Sequence, residues 1–242
     1  MLKRLEKAFF KRPTLEVCRD ILGKYLVHNL PAGRHGIGKK KIIGKIVEVE
    51  AYVGTNDKAS HALGGKITER NRAEFLEGGH VYIYLVYGMY WQFNISTGRK
   101  GFPECFLIRA LEPTERRNRE TEKHRNKRTE KQSNLTNGPG KLCRWMKLNK
   151  KHYGIDLTKS RELWIEDASF PRDFHYSASV RLRKPSVAYE AEQARNRARR
   201  WSRLPDSQIV RARRIGIDYA GKYWAGRLWR FYIKGNSCVS KF

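Results

Sequence analysis

Apolar residues recur at helical spacing over Leu15, Cys18, Ile21 and Leu22, which predicts a short helix capped by Thr14 and ended by Gly23. The period then changes. Residues 24–29 read as a strand, Pro31, Gly33, Gly36 and Gly38 as a flexible basic turn, and residues 41–53 as a long strand. In its second half Val47, Val49, Ala51 and Val53 share one face while Glu48, Glu50 and Tyr52 share the other, the pattern of a half-buried strand. Glycines and polar residues over 54–79 predict a long ordered loop with one helical turn near 72–76. Two strands, 80–87 and 90–96, flank Gly88-Met89, which suits a type II′ hairpin with Tyr87 at its tip. Regular pairing across that turn sets Tyr87 against Tyr90 and Tyr84 against Phe93, so Tyr84 and Asn94 face opposite sides unless a bulge or a strong twist intervenes. Residues 105–111 form a further strand stopped by Pro113, and Pro139 opens a helix over 141–148. Residues 162–166, 213–217 and 229–234 read as closing strands. No internal repeat is present. The fold class is α+β: one mixed domain over 1–242, with helices around a largely antiparallel or mixed sheet.

Charge narrows the partner. The 242 residues carry 51 Lys and Arg against 24 Asp and Glu, a net charge of +27, and such a surplus points to a polyanion, nucleic acid first. Segments 114–131 and 181–203, read as insertions, surface helices or arms, each hold eight basic residues, but the rest still has 35 basic against 18 acidic residues. Charge by itself leaves an RNA binder of ribosomal type, or a solubilised surface, as open as a DNA partner. Cys18, Cys105, Cys143 and Cys238 lie far apart, without the spacing of a zinc site or disulfide framework, which implies a reduced intracellular protein. No stretch approaches the ~20 apolar residues of a membrane span, so no membrane is expected. No metal motif is read either: the seven histidines are scattered, and Glu122 by His124 and Asp173 by His175 lack a third ligand.

Glu50 and Tyr52 project from one strand face, next to a loop containing His61. A carboxylate, phenols and an imidazole near one site can activate water and stack a planar substrate. The same trio also describes a surface acid with hydrogen-bonded core residues. Tyr82, Tyr84, Tyr87 and Tyr90 crowd the hairpin; β-packing accounts for Tyr82 and Tyr90, whereas a ring at the tip of a tight turn in a basic protein resembles an inserting wedge. Lys58, the lysine nearest the motif, shows no sign of the desolvation that a Schiff-base nucleophile needs, which favours plain hydrolysis.

The runs Val49-Glu50-Ala51-Tyr52, His61, Tyr82-Ile83-Tyr84-Leu85-Val86-Tyr87-Gly88-Met89-Tyr90 and Asn94-Ile95-Ser96 closely resemble the alkyladenine (3-methyladenine) DNA glycosylase family. Arg70-Asn71-Arg72, Leu107 to Pro113, Gly138 to Leu142 and Trp229-Arg230-Phe231-Tyr232 extend the likeness over most of the chain. The resemblance implies a single mixed domain with a protruding β-hairpin and a monofunctional base-excision enzyme, needing no cofactor or metal. It would act as a monomer on double-stranded DNA containing damaged purines, wherever the cell keeps its DNA. It also implies Glu50 as general base with Arg109 beside it, Tyr52, His61, Tyr84 and Asn94 lining the base pocket, and Tyr87 replacing the flipped nucleotide. Arg70, Arg72, Met89 and Lys141 are expected to contact DNA, as are Arg195 and Arg199, one helical turn apart in the basic segment 181–203. That segment is more charged than the family pattern. A non-catalytic nucleic-acid binder is the competing reading, and Glu50 argues against it, because a carboxylate beside a phosphate-rich ligand weakens binding.

Overall fold

The computed structural model describes residues 3–31, 41–114, 134–167 and 201–240. Among these, nine strands form one sheet in which every ladder is antiparallel. The strands are β1 (Lys3–Arg4), β2 (Tyr25–Asn29), β3 (Lys41–Val53), β4 (Val81–Val86), β5 (Tyr90–Ser96), β6 (Glu104–Pro113), β7 (Leu163–Asp167), β8 (Ile209–Ala212) and β9 (Arg230–Ile233). Their order is β1-β7-β2-β3-β6-β5-β4, and β9 joins the second half of β3 and carries β8. The helices are α1 (Lys7–Phe10), α2 (Thr14–Ile21), α3 (Pro139–Met146) and α4 (Gly221–Ala225). No helix of the described residues is long and apolar enough to cross a membrane.

The two faces of the sheet divide the labour. Phe9 and Phe10 of α1, Val17, Cys18 and Ile21 of α2, and Leu142 and Met146 of α3 pack on Val49, Ala51, Ile83, Phe93, Ile95, Phe106, Ile108 and Phe231 in the main core. Alternation sends Glu50, Tyr52, Tyr82, Tyr84, Asn94 and Arg230 to the opposite face. That face is covered as well, so β3 is buried on both sides around Glu48 and Glu50 rather than half-buried as its pattern suggests.

Alternation breaks once, in the centre. The β3–β6 register shifts between Ile46 and Glu48 and again between Glu48 and Val49. Ile46 and Val49, three residues apart, therefore both reach the main core, as do Ile108 and Leu111, while Val47 and Ala110 form a small separate cluster with Cys238. These compensating bulges turn Arg109 towards the two glutamates.

Three further sequence expectations are corrected. Pro13, not Thr14, is the N-cap of α2; the Thr14 hydroxyl instead bonds Thr97 at 2.6 Å and the carboxylate of Glu104. Residues 213–217 are irregular rather than a strand, and the strand lies earlier, at β8. The reason is local: Ile215 N–H donates to Glu50 at 2.8 Å instead of to a ladder, and Arg214 is drawn into a fully buried ion pair with Asp57. The hairpin turn has three residues, since Val86 pairs with Tyr90 and both Tyr87 (φ 52°) and Gly88 (φ 68°) are left-handed. The extra residue moves the register by one, pairing Tyr84 with Gln92 and Tyr82 with Asn94. Tyr84 and Asn94 thus share a face without any bulge in the hairpin.

Candidate active site

Glu50 is fully buried. Its Oε2 accepts hydrogen bonds from Arg109 Nη1 and Tyr52 Oη, both at 3.1 Å, and its Oε1 accepts from Ile215 N–H at 2.8 Å. Glu48, two residues back, lies 3.3 Å from Arg109 Nε and accepts from Arg230 Nη1 at 3.0 Å, from Ser240 N–H at 2.8 Å and from Ser240 Oγ at 2.6 Å. Two buried carboxylates thus alternate with two guanidiniums, so neither acid is left as an uncompensated buried charge. Burial raises the Glu50 pKa, while Arg109, the Ile215 amide and the Tyr52 hydroxyl pull it back; the net direction is upward.

Beside this ladder is a small cavity of about 10 Å³ walled by Tyr52, His61, Tyr82, Tyr84 and Asn94, with Glu74 and Cys105 among its lining. It has room for about one water. His61 and Tyr84 meet edge to face with centroids 4.6 Å apart, so they form one continuous wall rather than two sides of a slot. The His61 ring is anchored by Nδ1, 2.6 Å from Tyr82 Oη. Although His61 keeps an exposed side, loss of water from the rest and the charge of Arg70 push its pKa down to about 4. The imidazole is therefore neutral near pH 7. Tyr52 is braced from behind: Arg214 lies 4.9 Å from its ring centroid while bonding both oxygens of buried Asp57. Asn94 is buried and donates from Nδ2 to Gln92 O at 3.2 Å.

Glu74 is the opposite of Glu50 in its company. Cys105 Sγ donates to its Oε1 at 3.3 Å, and its Oε2 has no partner among the described residues. Burial pushes its pKa up to about 7. Burial likewise raises the Tyr82 and Tyr84 phenols, which stay protonated.

The remaining expected site residues spread over the surface around this pocket. Tyr87 is 86 % exposed and Met89 66 % exposed at the hairpin tip. Arg70 lies 4.8 Å from the Tyr84 ring centroid, and with Arg72 and Lys150 it lines a groove of about 630 Å³ that runs along Tyr84 and Trp91. Lys141, exposed in the first turn of α3, donates to Asn137 Oδ1 at 2.9 Å. The start of α3 fits tightly under the hairpin, where a Cβ on Gly140 would come within 2.8 Å of the Tyr90 ring. Arg195 and Arg199 lie outside the described residues, as do most of segments 114–131 and 181–203.

Sequence reasoning missed Glu48, Asp57, Glu74, Arg214 and Arg230 as parts of the site. A signal existed for two of them. Glu48 repeats the inward position of Glu50 in an apolar strand, and Arg230 interrupts a run of aromatic residues. Each is a charge where burial is expected, which demands a partner.

Residues 8–189 match the family model described as methylpurine-DNA glycosylase. The chain is similar to proteins named "Putative 3-methyladenine DNA glycosylase" from several organisms. The one from Methanocella arvoryzae is 41 % identical over 98 % of this chain and 96 % of its own length. Those from Clostridium acetobutylicum (39 %, over 98 % and 97 %) and Clostridium novyi (37 %, over 99 % and 100 %) match at similar extent.

Proposed function

Because the chain belongs to the methylpurine-DNA glycosylase family, we propose that it flips alkylated or deaminated purines out of double-stranded DNA and hydrolyses their N-glycosidic bond, leaving an abasic site. The observation that carries the reading is the state of Glu50: buried, held by three donors, and with one Oε1 acceptor direction unfilled among the described residues, where a water can donate. In the reaction the water oxygen bonds the sugar C1′, its proton passes to Glu50, and the bond from C1′ to the purine nitrogen breaks with its electron pair leaving on the base. A purine alkylated at a ring nitrogen carries positive charge and departs as a neutral molecule, whereas a deaminated purine is neutral in the nucleotide and departs as an anion that takes up a proton from water.

The pocket suits such a base. Tyr52, Tyr84 and His61 offer π-faces to an electron-poor ring, and a neutral His61 adds no opposing charge. Asn94 excludes guanine by meeting its exocyclic amine. Arg109 is a positioning residue; tied to both Glu48 and Glu50, it is not available to grip phosphate. Tyr87 fills the gap in the duplex, and damaged bases, which pair and stack poorly, need less energy to extrude. A left-handed backbone at a bulky residue is costly; at Tyr87 it accompanies presentation of the ring to solvent at the tip. The cavity is too small for a purine, so its walls part on binding. Arg70, Arg72, Lys141, Arg195 and Arg199 supply phosphate contacts, and residues 1–242 act as one glycosylase domain.

The test is incubation of the purified protein with duplexes each carrying one lesion, followed by alkaline cleavage at abasic sites. Strand breaks at one or more alkylated or deaminated purines are expected. Binding to every lesion without release from any would leave the non-catalytic reading in place.

A further inference from the structure

A second cluster of titratable side chains lies outside the proposed active site, where the end of β2, the turn after α3 and the entry to β7 converge. His28, in β2, and His152, in the short 3₁₀ turn Lys150–His152, are both buried, and their rings stand 5.0 Å apart at 88°. Each Nε2 is buried and without a hydrogen-bond partner among the described residues. Glu162, one residue before β7, places Oε1 at 3.6 Å from both of these nitrogens. Two orphaned imidazole nitrogens and a carboxylate oxygen, all within 4.8 Å of one another, therefore face a common point.

Two buried imidazole nitrogens without a hydrogen-bond partner among the described residues are costly. The far side of each ring is tied to backbone instead. His28 Nδ1 is 2.7 Å from Met146 O, and His152 Nδ1 is 3.1 Å from Asn149 O. A ring that donates Nδ1–H to a carbonyl presents an unprotonated Nε2, which is the second-shell arrangement found behind metal-bound histidines. His152 Nδ1 also lies 3.1 Å from the Asn149 N–H, so a metal on Nε2 would select one of two available tautomers. The donor spacing fits as well: tetrahedral coordination with bonds of about 2.0–2.1 Å puts neighbouring ligand atoms roughly 3.3 Å apart, close to the 3.6 Å seen here.

We propose that His28 Nε2, His152 Nε2 and a Glu162 carboxylate oxygen bind one divalent transition-metal ion of zinc type, with the fourth position open to solvent beside half-exposed Glu162. The donor set excludes a calcium-type site, which is built from oxygens, and two imidazoles with one carboxylate suit zinc. The ion would clip β2, through His28, to the stretch of chain that carries His152 and, ten residues later, Glu162. The residue after His152 gives the clip a reach: Tyr153 Oη accepts from Ala73 N–H at 2.9 Å and donates to Glu69 O at 3.1 Å, bracing the turn that carries Arg70 and Glu74. Such a site stabilises the folded chain by mass action, because the unfolded chain does not assemble it.

The test uses the full chain, stripped with a chelator and desalted. Titration with Co²⁺ is expected to give the intense visible bands of tetrahedral cobalt at one equivalent per chain, and Zn²⁺ should displace it and raise the thermal midpoint. Glu162→Ala, a change at an exposed position, should weaken Zn²⁺ binding at least about tenfold and remove most of the thermal shift. His28→Gln, provided it folds, should do the same. Three results would each overturn the proposal: no stoichiometric binding, a weak octahedral cobalt spectrum, or binding that survives Glu162→Ala unchanged. The first would leave the two histidines as a packed pair and nothing more; the other two would mean that the ion is held by a different set of ligands.

Discussion

Glu50 and Glu74 are both buried carboxyl groups on the same side of the sheet, but their surroundings prepare them for different charges. Glu50 has Arg109, a backbone amide and the Tyr52 hydroxyl directed at it, whereas Glu74 has one thiol. Burial raises both pKa values. Only at Glu50 is that rise opposed by a cation and several donors, which makes it the acid that can act as a base. Glu74, with a pKa near 7, stays largely protonated below neutrality and can donate a hydrogen bond within the pocket. Two carboxyls with separated roles are a recurring way of distributing acid and base work.

The largest expected effect comes from removing the shared cation. Arg109→Leu leaves Glu48 with Arg230 but takes from Glu50 the one cation paired with it among the described residues, and should cost about 3–5 kcal/mol in urea unfolding near pH 7. A loss below about 1 kcal/mol would mean that Glu50 is protonated in the folded protein, erasing the contrast with Glu74.

At Glu74 the effect carries a sign. Unfolded, its carboxyl ionises around its ordinary value of 4.5, while in the fold it keeps its proton to about 7. Between those values the native chain holds a proton that the unfolded chain has released, so this group makes stability fall as pH rises from about 4.5 to about 7 and then level off. Glu74→Gln removes that fall. Relative to wild type it should gain up to about 3 kcal/mol at pH 8 and almost nothing near pH 4. An equal difference at both pH values in parallel denaturation series would show that Glu74 ionises normally.

A smaller effect is expected away from both acids, at the tip of the hairpin. Tyr87→Ser should lower the flipped population by about ten- to a hundredfold, the equivalent of one aromatic stack of roughly 1–3 kcal/mol. A fluorescent base analogue at the lesion reads it, and a lesion in an unpaired bulge should lose less activity. Normal flipping with a wild-type rate on paired duplex would make Tyr87 a packing residue and move the wedge elsewhere.

Much of this was legible in the chain because it depends on local pattern. The alternation in β3, the apolar run of β6 and the Pro139 start of α3 all correspond to observed elements. The hairpin turn departs from its sequence signal for a specific reason: turn rules assign positive φ to glycine or asparagine, and here Tyr87 adopts it too. That single residue inverted the expected facing of Tyr84 and Asn94. Residues 213–217 look like a strand because Ile215 and Ile217 alternate, but their backbone serves Glu50 and their arginine serves Asp57. The paired charges were hidden by distance along the chain. Glu48 and Arg230 are 182 residues apart, and no local period relates them. His28 is hidden from His152 and Glu162 in the same way.

The role of Glu50 as base is tested by the single-turnover rate of base release by Glu50→Gln on a duplex from which the wild-type protein releases a base, with duplex affinity measured alongside. The substitution keeps the shape of the side chain and removes the charge that takes the proton from water. If Glu50 takes the proton, the rate should fall at least about a hundredfold with binding retained, and the acid limb of the wild-type rate, which burial of Glu50 shifts upward from the ordinary carboxylate range, should disappear. A rate within about threefold of wild type, with the acid limb unchanged, would contradict it and place the base elsewhere in the site.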